Sequence, residues 1–156
     1  MKKNPIKTIR YRIGKSGIHG RGTFAIEDIR KSTRIVEYLG KIITDEDLDD
    51  RPEDPDFVWL FDLEDGRYID GNPKLPGPCV NHSCEPNCFT EIIDGRVFIV
   101  SDRKISTGEE LTYDYSFEHD TNTHLCACGS PKCRGTINLK PPRKRSRNGS
   151  GTRRKR

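Results

Sequence analysis

Val80-Asn81-His82-Ser83-Cys84-Glu85-Pro86-Asn87 joins an Asn-His pair, a thiol and a proline turn in one short run. Its meaning depends on two later stretches, Glu109-Glu110-Leu111-Thr112-Tyr113-Asp114-Tyr115 and Cys126-Ala127-Cys128-Gly129-Ser130-Pro131-Lys132-Cys133. We read the first stretch as tied to both. With one it builds a reactive site, and with the other it closes a metal site.

The cysteine spacing is the sharpest chemical signal. In Cys126-x-Cys128-x4-Cys133, three thiolates can wrap one tetrahedral Zn²⁺, with Gly129 and Pro131 shaping the turn. A closed site needs a fourth ligand. Cys84 and Cys88 stand far upstream, and His124 stands close by. A distant ligand would pin the C-terminal segment back onto residues 81–84 and order a stretch too polar to order itself. The chain has six cysteines and no apolar run behind its basic start, so no secretory leader is expected. Metal binding or chemistry is then a better use of the thiols than disulfides. His82 with Cys79 or Cys84 could form a base–nucleophile pair, but no Gly-x-Cys elbow accompanies it.

Composition bounds the rest. A chain of 156 residues fits one domain, and 31% hydrophobic against 33% charged residues implies a modest core with many loops. No apolar run approaches the ~20 residues of a membrane span. The net charge of +4 hides an asymmetry: residues 140–156 carry nine of the 28 basic residues and no acid. The body is left with 19 basic residues against 24 acidic ones. An acidic body attracts a basic partner, and a basic tail an acidic one such as nucleic acid or an import receptor. The densest acid, Asp45 to Asp56, holds eight carboxylates in twelve positions.

Taken in order, the chain reads as many short strands. Residues 9–13 alternate apolar and basic, a glycine-rich turn follows, and 23–26 form a second strand. Residues 34–39 read as a strand that 40–43 continue or pair with. Residues 44–50 form the one helix candidate, with Thr44 as N-cap and Pro52 and Pro55 ending it. Phe57 to Leu63 and Arg67 to Asp70 make a hairpin through Asp65-Gly66. Phe89 to Ile93 and Arg96 to Val100 make a clearer one through Asp94-Gly95. Residues 71–78 are loop, and Leu111 to Tyr115 is the last strand. In that strand Tyr113 and Tyr115 share one face. Two such phenols serve equally as amphipathic core or as the wall of a narrow channel that steers an amine.

Five segments occur here in a fixed order: Gly17-Ile18-His19-Gly20-Arg21-Gly22, Glu37-Tyr38-Leu39-Gly40, Asn81-His82-Ser83-Cys84-x-Pro86-Asn87, Gly108 to Tyr115, and the cysteine cluster. Together they resemble the SET-domain protein lysine methyltransferases with a post-SET zinc segment. The resemblance implies a mainly β, β-clip-like fold of short sheets. In its C-terminal pseudoknot the segment ending at Tyr115 threads under a loop beside Asn81-His82. It implies a SET domain over 1–117, a zinc-ordered post-SET segment over 118–139 and a disordered basic tail over 140–156. By the same resemblance, S-adenosyl-L-methionine is held by His19, Gly20, Arg21 and Gly22 with Asn81 and His82, and Phe117 and Leu125 pack near its adenine. Tyr38, Tyr113 and Tyr115 line a lysine channel, Tyr115 in the catalytic position. Cys84 completes the zinc site of Cys126, Cys128 and Cys133. Where the family has Arg-Phe or Arg-Tyr before the Asn-His pair, this sequence has Pro78-Cys79 after a short loop.

The activity so implied is protein-lysine N-methylation of a histone or histone-like basic protein, with a tyrosine at 113 favouring one methyl group. A monomer acting inside the cell is expected, in a nucleus or in a bacterial cytoplasm or nucleoid. Substrate choice is expected to rest on the chain's own surface. The acids of 45–56 are candidates to face a basic tail bound as an added strand. The competing reading is a catalytically weak SET-fold module tethered to chromatin or nucleoid by its tail. A zinc-dependent nucleic-acid binder is a third, but its tail lacks aromatic residues for base stacking.

Overall fold

The computed structural model describes residues 11–49, 59–119 and 121–142. Among them are ten short strands and one five-residue helix, the mainly β architecture read from the sequence. No helix there is long and apolar enough to cross a membrane.

β1 (Tyr11–Lys15) and β2 (Arg21–Ala25) form an antiparallel pair with Lys15 opposite Arg21. The ladder runs closer to the turn than expected from the sequence, because Ser16 organises the turn. Its Oγ accepts from the Ile18 N–H at 2.9 Å, and its own N–H donates to the Gly20 carbonyl at 3.0 Å. Gly20 takes a positive φ of 45°, which suits a residue without a Cβ.

β3 (Arg34–Tyr38) and β4 (Gly40–Thr44) do not pair with each other. β3 pairs with β9 (Arg96–Ser101), which pairs with β8 (Cys88–Ile93). β4 pairs with β6 (Arg67–Gly71), which pairs with β5 (Leu60–Asp62). The chain changes sheets at Gly40, where a Cβ would collide with the Asp70 carbonyl, so only glycine makes the step. The β8–β9 turn is the one the Asp-Gly dipeptide predicts, with φ of 50° at Asp94 and 71° at Gly95. The helix, α1 (Asp45–Asp49), is capped from inside: the Asp47 carboxylate accepts from the Thr44 N–H at 2.9 Å. Prolines 52 and 55, the rest of the acidic run and the tail from 143 lie outside the described residues.

The last pairing joins the sheets. β10 (Thr112–Tyr113) lies parallel to β7 (Asn81–His82), Thr112 opposite Asn81 and Tyr113 opposite His82. On the other side the same segment bonds to β2, with the Leu111 N–H donating to the Thr23 carbonyl at 2.8 Å and the Ala25 N–H to Glu109 at 2.9 Å. Residues 109–113 are therefore clamped between the first hairpin and the Asn-His stretch. Beneath them sits a core of Ala25, Ile29, Ile35, Val36, Val80, Cys88, Ile99, Ile105, Leu111 and Tyr113. Phe61 packs against both this core and a smaller one of Tyr38, Leu63, Ile69 and Val97.

A two-residue ladder is too short to hold by itself, and Asn87 completes it. This side chain is buried at 3% exposure. Its Nδ2 donates to the Glu110 carbonyl at 2.8 Å, and its Oδ1 accepts from the Thr112 N–H at 2.9 Å. The amide acts as one more rung of strand. In Asn87→Ala both backbone groups lose their partner inside the protein. We expect a loss of about 3 kcal/mol of unfolding free energy in urea, and a loss below about 1 kcal/mol would show that the rung is dispensable.

Candidate active site and metal centre

Polar groups converge on the clamped segment. Glu110 accepts from Ser16 Oγ at 2.7 Å and from Asn81 Nδ2 at 2.8 Å. The same Asn81 nitrogen lies 3.2 Å from the His19 carbonyl and 3.0 Å from that of Arg21. One carboxylate thus fixes the β1–β2 turn against the Asn-His stretch. Gly22 is needed here for packing, since a Cβ would collide with the Glu110 carboxylate.

A cavity of about 610 Å³ opens beside this network. His19, Gly20, Arg21, Asn81, His82, Tyr115, Phe117 and Leu125 all line it. Gly22, Tyr38 and Tyr113 do not. Leu125 stands at 85% exposure, an apolar side chain left in the open beside a cavity. The wall also carries Trp59, which read as part of a strand, Cys79, which read as a possible nucleophile for His82, and Pro73, Lys74 and Pro78, which read as loop. Proline and glycine content announced a loop but not what it faces. The loop is held by Thr23 Oγ1 donating to the Pro76 carbonyl at 2.7 Å and by the Cys79 thiol reaching the Pro73 carbonyl at 3.1 Å. Among the described residues no carboxylate lines the cavity, whereas Arg21 and Lys74 do.

Tyr115 is gripped at both ends. Its hydroxyl donates to the Val80 carbonyl at 2.9 Å, and its backbone N–H donates to His82 Nδ1 at 3.1 Å. Its ring lies 4.7 Å from that of Tyr113 and 5.8 Å from that of Phe117. Burial pushes both Tyr113 and Tyr115 well above the ordinary phenol range, so each keeps its proton at neutral pH. The Tyr38 hydroxyl donates to the Trp59 carbonyl at 2.8 Å. Burial also lowers the His82 imidazole below its usual value, against the pull of Asp114, so the ring is neutral at pH 7. Asp114 makes a two-pronged ion pair with Arg134 at 2.6 and 2.9 Å. Burial raises this carboxyl, but the guanidinium and the Ser116 N–H outweigh burial and hold it below its usual range.

The cysteine segment folds back onto the crossing. Cys84, Cys126, Cys128 and Cys133 place their four sulfurs within 4.8 Å of one another. Neither Cys88 nor His124 joins them. Cys88 is buried with its thiol on Asn87 Oδ1, and His124 stacks edge-on against Phe117. A tetrahedral ion with Zn–S of about 2.3 Å needs sulfurs about 3.8 Å apart, and Cys84 and Cys126 stand at 3.7 Å. Backbone N–H groups of Arg134 and Gly135 point at Cys84 and Cys133, each at 3.3 Å, as donors to thiolates do. Burial pushes the Cys126 thiol up to about 12, while hydrogen bonds pull Cys128 down to about 6 against burial. Four thiolates this close need a cation between them, and the donor set fits zinc. This commitment of Cys84 removes it as a nucleophile for His82.

Asn138 staples the segment shut from inside. Its Oδ1 accepts from the His124 N–H at 2.9 Å, and its Nδ2 donates to the Glu118 carbonyl at 2.9 Å.

These features define a SET domain, and the SET-domain family model matches residues 20–116. The chain belongs to that family. It is 40% identical over 139 residues to the Drosophila melanogaster histone-lysine N-methyltransferase trr, covering 81% of this chain and 6% of that protein. A Schizosaccharomyces pombe histone-lysine N-methyltransferase, H3 lysine-4 specific, is 39% identical over 137 residues, or 80% of this chain and 15% of that protein. Human histone-lysine N-methyltransferase 2D is 35% identical over 137 residues, 81% and 2% respectively. The chain therefore spans 15% or less of the length of each of these relatives.

Metal analysis of two variants tests the centre. Cys84→Ser is expected to lower bound zinc well below one ion per chain, whereas Cys88→Ser leaves it unchanged. Equal zinc in wild type and Cys84→Ser would remove Cys84 from the ligand set.

Proposed function

We propose that this chain is an S-adenosyl-L-methionine-dependent protein-lysine N-methyltransferase acting on a histone or histone-like tail. One observation carries the reading. Tyr115 lines a cavity bounded by the His19–Arg21 turn and the Asn81-His82 stretch, in a SET chain whose relatives are named histone-lysine N-methyltransferases.

When bound, the cofactor supplies a methyl group on a sulfonium sulfur. Backbone groups of His19, Gly20 and Arg21, with Asn81 and His82, are assigned to hold it, with Gly22 packing beneath the turn. Phe117 and Leu125 are assigned to the adenine. Arg21 and Lys74, the cations on a wall without carboxylates, suit its carboxylate end. Zinc at Cys84, Cys126, Cys128 and Cys133 orders the part of the wall that runs from Thr123 to Ala127.

Methyl transfer to an amine is an in-line displacement, so alignment supplies much of the rate. The substrate lysine must arrive neutral, and an apolar, aromatic approach past Tyr38, Tyr113 and Tyr115 lowers its pKa. Tyr115 holds its proton too tightly to act as a base. Its hydroxyl proton is already given to Val80, which leaves the oxygen's lone pairs to accept from the amine or the moving methyl group. Tyr113 adds a second hydroxyl that crowds the amine, and we assign it the preference for one methyl group.

The substrate is assigned by charge. Asp45, Glu46 and Asp47 on α1 are exposed beside β4, whose second edge carries no strand among the described residues. A Lys/Arg-rich tail added along that edge would meet these acids. The basic tail, residues 140–156, is assigned to an acidic surface, nucleic acid or an import receptor, in keeping with a nuclear enzyme.

Two outcomes follow with labelled cofactor and a panel of basic proteins that includes histone H3. Tyr115→Phe is expected to lose about 100-fold or more in kcat. No transfer by folded, zinc-loaded wild type to any of the panel would overturn the assignment in favour of a binding module. Mass spectrometry of the product should show chiefly one added methyl group, with two or three after Tyr113→Phe; a mainly trimethylated wild-type product would contradict the role of Tyr113.

A further inference from the structure

Both nitrogens of the His82 ring have protein partners. The Tyr115 backbone N–H donates to Nδ1 at 3.1 Å. An amide N–H can only donate, so Nδ1 presents a lone pair. With Nδ1 accepting, the ring proton sits on Nε2, and Nε2 stands 3.4 Å from Cys84 Sγ. His82 is 4% exposed, so water does not substitute for either contact. Asp114 is the competing partner for Nδ1. It lies 3.5 Å away, beyond hydrogen-bond length, and its oxygens are taken by Arg134 and by the Ser116 N–H at 2.9 Å.

We propose that His82 is a positioning residue that joins the metal centre to the reacting tyrosine, its Nε2–H donating to the Cys84 thiolate while its Nδ1 fixes the Tyr115 backbone. The proposal deepens the reading above and rests on it for the roles of Tyr115 and of the cysteines.

The need for such a residue follows from where the ladder ends. β10 stops at Tyr113, so the Tyr115 N–H has no strand partner. Without the imidazole, only the hydroxyl bond to Val80 would fix the phenol. With it, two residues of one short stretch hold the tyrosine from both ends, Val80 by the hydroxyl and His82 by the amide. The two rings also meet edge-on at 5.4 Å. The orientation of the His82 ring is set in turn by the Cys84 sulfur. A metal-bound thiolate is a charged acceptor and orients a donor firmly, whereas a protonated thiol accepts weakly. Loading the metal therefore tightens the grip on Tyr115, although no metal ligand touches it.

Two variants split the two arms. His82→Asn sets an amide oxygen near the place of Nδ1 and is too short to reach the sulfur. His82→Gln extends an N–H toward the sulfur and lacks the acceptor at Nδ1. Two readouts require no turnover: the thiolate-to-metal absorption of the Co²⁺-substituted protein, and hydrogen exchange of the Tyr115 amide by NMR. His82→Asn is expected to shift the cobalt absorption and to leave the amide protected. His82→Gln is expected to leave the absorption in place and to speed amide exchange by about tenfold or more. It should also lower kcat by about 10- to 100-fold. Unshifted cobalt absorption in His82→Asn, or an equally protected amide in His82→Gln, would overturn the proposal. If the cobalt and exchange results hold while wild type transfers no methyl group, the link stands and the assigned reaction falls.

Discussion

Two rungs of parallel strand, Thr112 opposite Asn81 and Tyr113 opposite His82, join the Asn-His stretch to the segment that leads into Tyr115, and all three of Asn81, His82 and Tyr115 line the cavity. The pairing is short, and its security comes from its flanks. Asn87 adds a side-chain rung on one side, and β2 pairs with the same segment on the other. Because strand partners lie only about 5 Å apart, this contact sets Tyr115 beside Val80 and Asn81 beside the His19–Arg21 turn. A slip of one residue would turn Tyr113 and Tyr115 to the opposite face. The register of this small ladder is therefore the register of the site.

The cysteine segment depends on the same contact from outside. Residues 121–139 have few apolar side chains and no ladder longer than a single bridge. The devices that hold them include the sulfur cluster with Cys84, the Asp114–Arg134 ion pair, the Lys132–Glu85 ion pair and the buried Asn138. Each joins the segment to the crossing or closes it on itself. An ion pair that is partly exposed contributes modestly, so the sulfur cluster carries the most weight. Its placement has a chemical result, because His124, Leu125 and Cys126 come with it to form one side of the cavity.

Much of this was legible in the sequence, and what escaped did so for identifiable reasons. The Asp94-Gly95 hairpin follows from turn chemistry alone. The three-cysteine spacing points to a tetrahedral metal site, but the choice among Cys84, Cys88 and His124 needed either the family resemblance or the fold. The crossing has no periodicity to detect, since two residues cannot alternate visibly. Residues 40–43 read as continuing the strand of 34–39 or pairing with it, and nothing local told that Gly40 moves the chain to another sheet. Asn87 read as part of a proline turn and Asn138 was not singled out, although each is a buried staple whose partners lie 14 to 25 positions away. Lys74 was hidden because loop composition carries no direction, and Trp59 because it read as part of a buried strand.

The central claim is that the metal, acting through the crossing, makes the cofactor cavity. Trp59 is the chain's one tryptophan and lines that cavity, so its fluorescence reports occupancy directly. Titration of S-adenosylhomocysteine into the zinc-loaded protein, and into the same protein after chelation, tests the claim. The account predicts that chelation weakens binding by about tenfold or more while the core sheets keep their far-ultraviolet signal. Equal affinity before and after metal removal would contradict it.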